Sequence, residues 1–188
     1  GGLNFRGKGL MNGHMQRKPA QTEAVRPLYT PEQRARRDET AWTLVQGVLA
    51  PLQFAVFIVS VALVVRYLAT GEGLFIANVS IVLKTLVLYV IMVTGAIWEK
   101  VVFGRYLFAP AFFWEDMVSM LVLFLHTAYL VALAMDAVGP TALMWIALAA
   151  YATYVINAAQ FLGKLRTARL QGGLATFGDD GVAEGVGG

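Results

Sequence analysis

Ionisable side chains stand inside the apolar stretch APAFFWEDMVSMLVLFLHTAYLVALAM, residues 109–135. Two adjacent carboxylates lie near its start and a histidine lies near its middle. Spacings of four, three, four and three residues place five side chains on one face of a helix: Glu115, Ser119, Val122, His126 and Tyr129. Asp116 is turned about 100° away around the same helix. Because ionisable groups are costly in apolar surroundings, this polar stripe is a candidate functional site.

A lysine lies at a similar depth in the preceding apolar run. Lys84 is about 21 Å from the far end of that run, and His126 is about 20 Å into the next one, at about 1.5 Å per residue. A lysine there is costly unless it pairs, loses its proton or reaches water. A buried partner such as Glu115, Tyr129 or a bound anion is one interpretation, and extension of the side chain to the outer surface is the other. Glu99, at the end of the second run, is a third carboxylate near the adjacent pair.

The elements that hold these groups are predicted membrane spans. Of the 188 residues, 57% are hydrophobic and 14% are charged, against roughly a quarter charged in soluble domains. The mean hydropathy is +0.61, and the absence of cysteine excludes disulfides and thiolate metal sites. Four apolar runs reach the roughly 20 residues that a helix needs to cross a bilayer: 42–68, 75–98, 112–135 and 141–162.

The segments around these runs complete the predicted organisation, an all-α membrane protein with a four-helix bundle. Thr30, Pro31 and Gln33 form a capping-box signature that starts a short basic helix on the membrane surface. Short connections after the first and third runs favour antiparallel neighbours. The predicted boundaries are 1–29 for a flexible leader, 30–41 for the surface helix, 42–165 for the bundle and 166–188 for a disordered, glycine-rich tail.

The positive charges predict the orientation of the bundle. Thirteen of the 15 lysines and arginines lie before the first run, in the second loop or after the fourth run. Because such residues are retained on the cytoplasmic side, both termini are expected in the cytoplasm. The second connection, EKVVFGRYLFAPAFFWED, is long, aromatic and charged. It fits either a plain connector in the membrane interface or the roof of a pocket, with Trp114 in the interface.

Polar residues of the first and last spans also recur on helical faces. Gln46, Gln53 and Ser60 follow one another at intervals of seven, and Asn157 and Gln160 lie in the last span. Hydrogen bonds between helices are the expected role of such groups in a membrane, worth about 0.6 kcal/mol each.

Several chemistries are excluded by counting. Only one histidine lies in a span, so a bis-histidine haem within one chain is excluded, and a zinc or di-iron site lacks a second ligand at metal spacing. Phosphate-loop, Rossmann glycine and serine-nucleophile motifs are absent. The basic charge flanks the spans and therefore concerns topology rather than nucleic-acid binding. One histidine could still be an axial ligand of a chlorin magnesium.

Three long blocks of sequence resemble a known family. They are RPLYTPEQRARRDETAWTLVQGVLAPLQF, VTGAIWEKVVFGRYLFAPAFFWEDMVSMLVLFLHTAYL and ALAAYATYVINAAQFLGKLR, within residues 26–170. They are similar to the 3-vinyl bacteriochlorophyllide hydratases of phototrophic bacteria. The resemblance implies a multi-pass enzyme of the bacterial cytoplasmic (intracytoplasmic) membrane that adds water across the 3-vinyl group of chlorophyllide or 3-vinyl bacteriochlorophyllide. The bilayer and other pigment-synthesis enzymes are the partners it suggests, with no nucleic acid.

With that reaction, the candidate residues take specific roles. Vinyl hydration needs a proton donor, a group that orients water and a flat apolar slot, but no cofactor. An apolar setting favours a carboxylic acid that keeps its proton. Our hypothesis makes Glu115 the acid, Asp116 the water-orienting group and Glu99 the reserve candidate. The expected substrate contacts are Lys84, Ser119, Tyr129, Trp114 and His126, the last as an axial ligand of the substrate magnesium or a hydrogen-bond partner of the ring.

Other interpretations stay open at this point. Carboxylates in the first turn of a helix stabilise its dipole by about 0.3–1 kcal/mol, which alone could account for Glu115 and Asp116. A hydrogen bond between helices would account for His126. The competing functional class is a non-enzymatic pigment-binding assembly factor or a minor subunit of a photosynthetic complex.

Overall fold

The computed structural model describes the backbone of residues 27–183 and the side chains of residues 27–170. Over this range the chain forms five helices: α1 Pro31–Glu39, α2 Ala41–Thr70, α3 Leu74–Phe103, α4 Phe113–Ala134 and α5 Pro140–Ala183. Each of α2 to α5 contains a segment long and apolar enough to cross a membrane. The predicted all-α fold with four spans is therefore confirmed, and the chain is a multi-pass membrane protein. Residues 1–26 of the predicted leader and 184–188 of the predicted tail lie outside the described residues.

Two helices run past the ends of the predicted spans. Helix α3 ends at Phe103, five residues beyond the predicted end at Trp98. The next residue, Gly104, is the C-cap and takes the left-handed conformation with a φ of 82°. Glu99 therefore lies inside a helix. Helix α5 continues over residues 166–183, beyond the apolar run, and its first residues there are the good helix formers Leu, Arg and Ala. Hydropathy marks the end of an apolar segment and not the end of a helix.

The basic segment before the first span forms a short helix, α1. Thr30 Oγ1 accepts a hydrogen bond from the Gln33 N–H at 3.2 Å, and Gln33 Oε1 accepts one from the Thr30 N–H at 2.9 Å. Pro31 is the first residue of α1, so the predicted capping box is confirmed. Thr40 ends α1, and its hydroxyl accepts from the Trp42 N–H at the start of α2.

The four spans form two antiparallel hairpins, α2 with α3 and α4 with α5, and packing is closest within each hairpin. Core contacts then join α2 to α5. The Tyr151 hydroxyl lies 2.5 Å from Ser60 Oγ, and the rings of Phe57 and Tyr154 are 5.0 Å apart. Since residue numbers rise on one helix as they fall on the other, α2 and α5 are also antiparallel.

Helices α3 and α4 meet through polar side chains, a contact that we call the polar seam. Its four pairs are Asn78–Tyr129, Lys84–His126, Tyr89–Thr127 and Glu99–Asp116. Between membrane helices, lipid is as apolar as a leucine side chain, so polar contacts of this kind help to hold spans together. The polar seam joins the two hairpins, and it contains most of the ionisable groups that the spacing in the sequence singles out.

Candidate active site

A pair of carboxyl groups lies at one end of the polar seam. Glu99 on α3 and Asp116 on α4 are 5% and 4% exposed, and the two carboxyl groups lie beside each other. Because two adjacent buried carboxylates cannot both ionise freely, one of the two is expected to keep a proton. This carboxyl pair lies at the end of the bundle that carries α1, which we call the basic end.

The loop between α3 and α4, residues 104–112, supplies two backbone donors to the carboxyl pair. The Phe108 N–H donates to Asp116 Oδ2 at 2.7 Å, and the Ala109 N–H donates to Glu99 Oε2 at 3.3 Å. Phe108 has a φ of 58°, in the left-handed region that bulky side chains rarely adopt. Two successive N–H groups thereby point to one site, as in the backbone nests that bind anions. The loop uses a strained residue to hold the carboxyl pair.

Glu115, the adjacent carboxylate, faces a different partner. Its Oε2 lies 3.2 Å from Nζ of Lys164 on α5, and the same Nζ donates a hydrogen bond to the Ala111 carbonyl. Lys164 Nζ also lies 5.4 Å from the centre of the Phe112 ring. Lys164 thus fastens the end of the loop to α5. A helix-dipole role alone does not explain why Glu115 and Asp116 contact two different elements.

An aromatic cluster packs around this loop at the basic end. Its members are Tyr29, Trp98, Phe103, Phe112 and Phe161, with neighbouring ring centres 5.7–6.4 Å apart. Trp98 Nε1 also donates to Thr43 Oγ1 at 2.9 Å, which ties α3 to α2. Burial raises the pKa of Tyr29, and Arg37 beside its ring opposes that shift. These contacts anchor the second connection to the basic end of the bundle.

A second buried pair lies farther along the polar seam. Lys84 Nζ is 2.6 Å from Nε2 of His126, and both side chains are fully buried. The Val122 carbonyl, 2.8 Å from Nδ1, can only accept, so Nδ1 is the donor and Nε2 accepts from Lys84. The prediction that Lys84 and His126 lie at similar depth is confirmed by this contact. Both ring nitrogens are occupied, so in this arrangement neither is turned towards a magnesium ion.

The predicted partners of Lys84 bind elsewhere. Glu115 pairs with Lys164, and the Tyr129 hydroxyl donates to Asn78 Oδ1 at 2.8 Å. The prediction that either of them pairs with Lys84 is wrong, because Glu115 contacts α5 and Tyr129 contacts α3 at the level of Asn78, six residues before Lys84. Extension of Lys84 to the outer surface is excluded by its complete burial.

The other predicted site residues of α4 divide into buried and exposed groups. The five side chains that the spacing places on one face are all buried, which confirms that face. Ser119 Oγ accepts a hydrogen bond from Asn157 Nδ2 at 2.8 Å inside the bundle. Trp114, in contrast, is 71% exposed in the first turn of α4. It is the predicted site residue that a molecule dissolved in the bilayer could contact directly.

Comparison with known proteins identifies the family. The model of the family described as 2-vinyl bacteriochlorophyllide hydratase (BCHF) matches residues 29–167. This chain belongs to that family. The relative from Cereibacter sphaeroides, named 2-vinyl bacteriochlorophyllide hydratase, is 70% identical over 146 residues, which cover 77% of this chain and 90% of the relative. The Rhodobacter capsulatus protein of the same name is 67% identical over 151 residues, which cover 80% of this chain and 88% of the relative.

The match to the vinyl bacteriochlorophyllide hydratase family confirms the resemblance seen in the sequence. The family name counts the vinyl-bearing carbon as position 2, where current tetrapyrrole numbering counts it as position 3. The matched range contains the carboxyl pair, the loop 104–112 and the Lys84–His126 pair. No solved structure matches the chain at a significant level.

The roles of two residues at this site, Lys164 and Phe108, were not predicted from the sequence. In the sequence Lys164 is only one of the charges that indicate topology. Glu115 lies 19 residues before the end of α4 (134 − 115) and Lys164 lies 24 residues after the start of α5 (164 − 140), so a hairpin brings both to the same end of the bundle, which is the signal that could pair them. Phe108 has no such signal, because phenylalanine disfavours the left-handed backbone that it adopts here.

Proposed function

We propose that this chain is a membrane hydratase that adds water across the 3-vinyl group of chlorophyllide or 3-vinyl bacteriochlorophyllide, giving the 3-(1-hydroxyethyl) pigment. Its family and both relatives are named for a vinyl bacteriochlorophyllide hydratase, which supports a hydro-lyase of bacteriochlorophyll synthesis. The observation that carries the mechanism is the buried carboxyl pair Glu99–Asp116 with its two backbone donors at the edge of the spans, and we propose that the pair shares a proton.

The shared proton supplies the acid step. Its transfer to the terminal vinyl carbon leaves a cation on the adjacent carbon, where the conjugated macrocycle delocalises the charge. Water adds to that carbon, and the proton that it gives up returns to the carboxyl pair. Between these transfers the N–H groups of Phe108 and Ala109 stabilise the negative charge on the pair, as preorganised donors do in an oxyanion hole.

We assign the acid to the carboxyl pair rather than to Glu115. Glu99 and Asp116 have each other as partners, whereas Glu115 faces the cation of Lys164. Asp116 accepts the shorter N–H hydrogen bond, so we place the proton on Glu99 and make Asp116 the group that orients water. Glu115 acts through Lys164 as a positioning residue for the loop.

The pigment reaches this site from the bilayer. Trp114 offers it a flat apolar surface in the same turn of α4 that carries Asp116. Four other predicted contacts are enclosed within the bundle: Lys84, Ser119, His126 and Tyr129. We propose that Lys84, His126 and Tyr129 hold α3 and α4 at the spacing that forms the carboxyl pair, and that Ser119 holds α4 to α5, all without contacting the pigment.

The orientation follows from the distribution of charge. In the sequence, thirteen of the 15 lysines and arginines come before the first apolar run, between the second and third, or after the fourth. We therefore place both termini, and the carboxyl pair with them, at the cytoplasmic face of the bacterial cytoplasmic (intracytoplasmic) membrane. Other enzymes of pigment synthesis that work at that face are the partners we propose.

The reaction itself is the first test. Membranes that contain only this protein, given a 3-vinyl chlorin without nucleotide or reductant, should form the 1-hydroxyethyl pigment, with a blue shift of the long-wavelength band. In water labelled with heavy oxygen the label should enter the new hydroxyl. Unlabelled product, or an absolute need for dioxygen, would contradict the proposal. Pigment binding without any product would favour the assembly-factor class instead.

A further inference from the structure

Buried amide groups without partners lie in the middle of the bundle. Gln53 of α2 is 1% exposed, and neither Oε1 nor Nε2 has a hydrogen-bond partner among the described side chains. Asn157 of α5 uses Nδ2 to bond Ser119, but its Oδ1 is unpaired within residues 27–170, as is Oε1 of Gln160. Proteins normally satisfy such atoms with protein groups or with ordered water.

The neighbours of Gln53 on its own helix face show that these unpaired atoms are unusual here. Gln46 Nε2 donates to Thr94 Oγ1 at 2.7 Å, and Ser60 bonds both α3 and α5. The predicted hydrogen bonds between helices are thus confirmed at both ends of that face. At Gln53, between them, the prediction is wrong, because its amide meets no protein partner in the described part of the chain.

Gln53 and Asn157 lie at the same level of the bundle. Phe57 of α2 packs on Tyr154 of α5, and these helices are antiparallel. Gln53, one turn before Phe57, therefore lies at the level of Asn157, about one turn after Tyr154. The serine that Asn157 bonds lies one turn beyond the carboxyl pair on α4. The amide level is thus between the carboxyl pair and the Lys84–His126 pair.

We infer that Gln53 and Asn157 bind water on the inner side of the carboxyl pair, and that this water is the nucleophile of the hydration proposed above, on which the inference rests. The unpaired atoms of these two residues are two carbonyl oxygens and one amide nitrogen, a set that suits a small neutral ligand able both to donate and to accept. On the loop side Ala109 and Phe112 are buried, with 0% and 2% of their surface exposed.

The bonds of the step balance without any co-reactant. Once the proton has moved to the terminal vinyl carbon, the water oxygen forms a bond with the adjacent cationic carbon. One O–H bond of that water breaks, and its proton passes to the carboxyl pair. Without water in place, the cation can only lose a proton from the new methyl group, which regenerates the vinyl substrate. Protonation and water capture can therefore be measured separately.

The test follows deuterium in heavy water at early times, before product accumulates. Mass spectrometry counts deuterium in the recovered vinyl pigment and counts the alcohol formed. In Gln53→Met and Asn157→Leu we expect alcohol formation to fall about tenfold, the effect of one lost hydrogen bond, while deuterium still enters the vinyl group. The ratio of deuterium entry to alcohol should therefore rise about tenfold by the same reasoning.

Gln46→Met is the matched control, because that amide already has a protein partner on the same helix face. It should leave the ratio unchanged. Gln53→Met should also unfold at the same temperature as the wild type or higher, since no protein hydrogen bond is lost. A proportional fall of deuterium entry and alcohol, or a higher KM with an unchanged ratio, would overturn the water site. A wild type that forms no alcohol would overturn the proposed function instead.

Discussion

The carboxyl pair and the Lys84–His126 pair bridge the same two helices, yet their surroundings differ. In the mid-bundle pair each polar nitrogen is met by a group of the spans: Lys84 meets Nε2 of His126 and an aromatic face, and Nδ1 meets a backbone carbonyl. In the carboxyl pair two acids face each other, and the donors come from a loop with a strained residue. The partners of the Lys84–His126 pair all come from the spans, whereas the carboxyl pair depends on donors from a loop.

This difference helps to distinguish ionisable groups that hold helices together from ionisable groups that are suited to catalysis. A buried ionisable group in a membrane is expensive and is therefore a functional candidate by default. Lys84 and His126 show that a span can hold such groups as a fully paired contact between helices. A shared proton together with preorganised backbone donors is the stronger sign of a catalytic site, because those donors act on charge that appears during the reaction.

The largest effect is expected from removing the shared proton. Glu99→Gln and Asp116→Asn should each lower the hydration rate by about 10²–10⁴-fold, the usual contribution of a general acid or base. Rates per folded protein, measured from alcohol formation, check this. Glu115→Gln is the neighbouring control and should lose less, because its partner is Lys164. The reverse order of the variants would return the acid to Glu115.

The second-largest loss of rate is expected from changing the backbone N–H donors of the loop. Phe108→Pro removes the N–H that bonds Asp116 and cannot adopt a positive φ, so we expect a roughly tenfold to hundredfold loss of rate, the value of one charge-assisted hydrogen bond. Phe108→Gly keeps the N–H and adopts the left-handed conformation without strain, so its rate should stay within about threefold of the wild type. Equal losses in both variants would mean that the phenyl ring, and not the N–H, matters.

The mid-bundle pair should affect stability more than rate. Lys84→Met leaves Nε2 of His126 without its partner and should lower the free energy of unfolding by about 1–3 kcal/mol. The double variant Lys84→Met with His126→Leu should recover part of that loss, because it leaves no unpaired group there. Thermal unfolding in detergent measures both. A lost reaction in a variant that stays fully folded would make the pair part of the chemistry.

The smallest effect is expected at the membrane surface. Trp114→Ala should raise KM for the pigment about threefold to tenfold, from the loss of one aromatic contact, with kcat unchanged. Trp145→Ala is the matched control, since that ring is 60% exposed at the opposite end of the bundle. Equal changes in the two variants would show that Trp114 has no special contact with the pigment.

The fold was largely predictable because a bilayer imposes span length and backbone pairing. The helical period also predicted the buried face of α4, and cap chemistry predicted the start of α1. For the site, the sequence predicted which residues share a face of one helix, but not which side chains of different helices meet. Which side chains meet across helices depends on how each helix is rotated about its axis, so Lys84 and His126 could be placed at one depth but not paired. The backbone of Phe108 depends on tertiary contacts that override its local preference.

The arrangement in two hairpins has a consequence for biogenesis. The first hairpin carries Glu99 and Lys84, and the second carries Asp116 and His126, so each half enters the bilayer with polar groups whose partners are still missing. Docking of the halves satisfies both pairs at once, so the proposed active centre forms only when the two hairpins assemble. A chain with one hairpin inserted therefore lacks that centre, and its unpaired lysine and acid carry the cost of ionisable groups exposed to lipid.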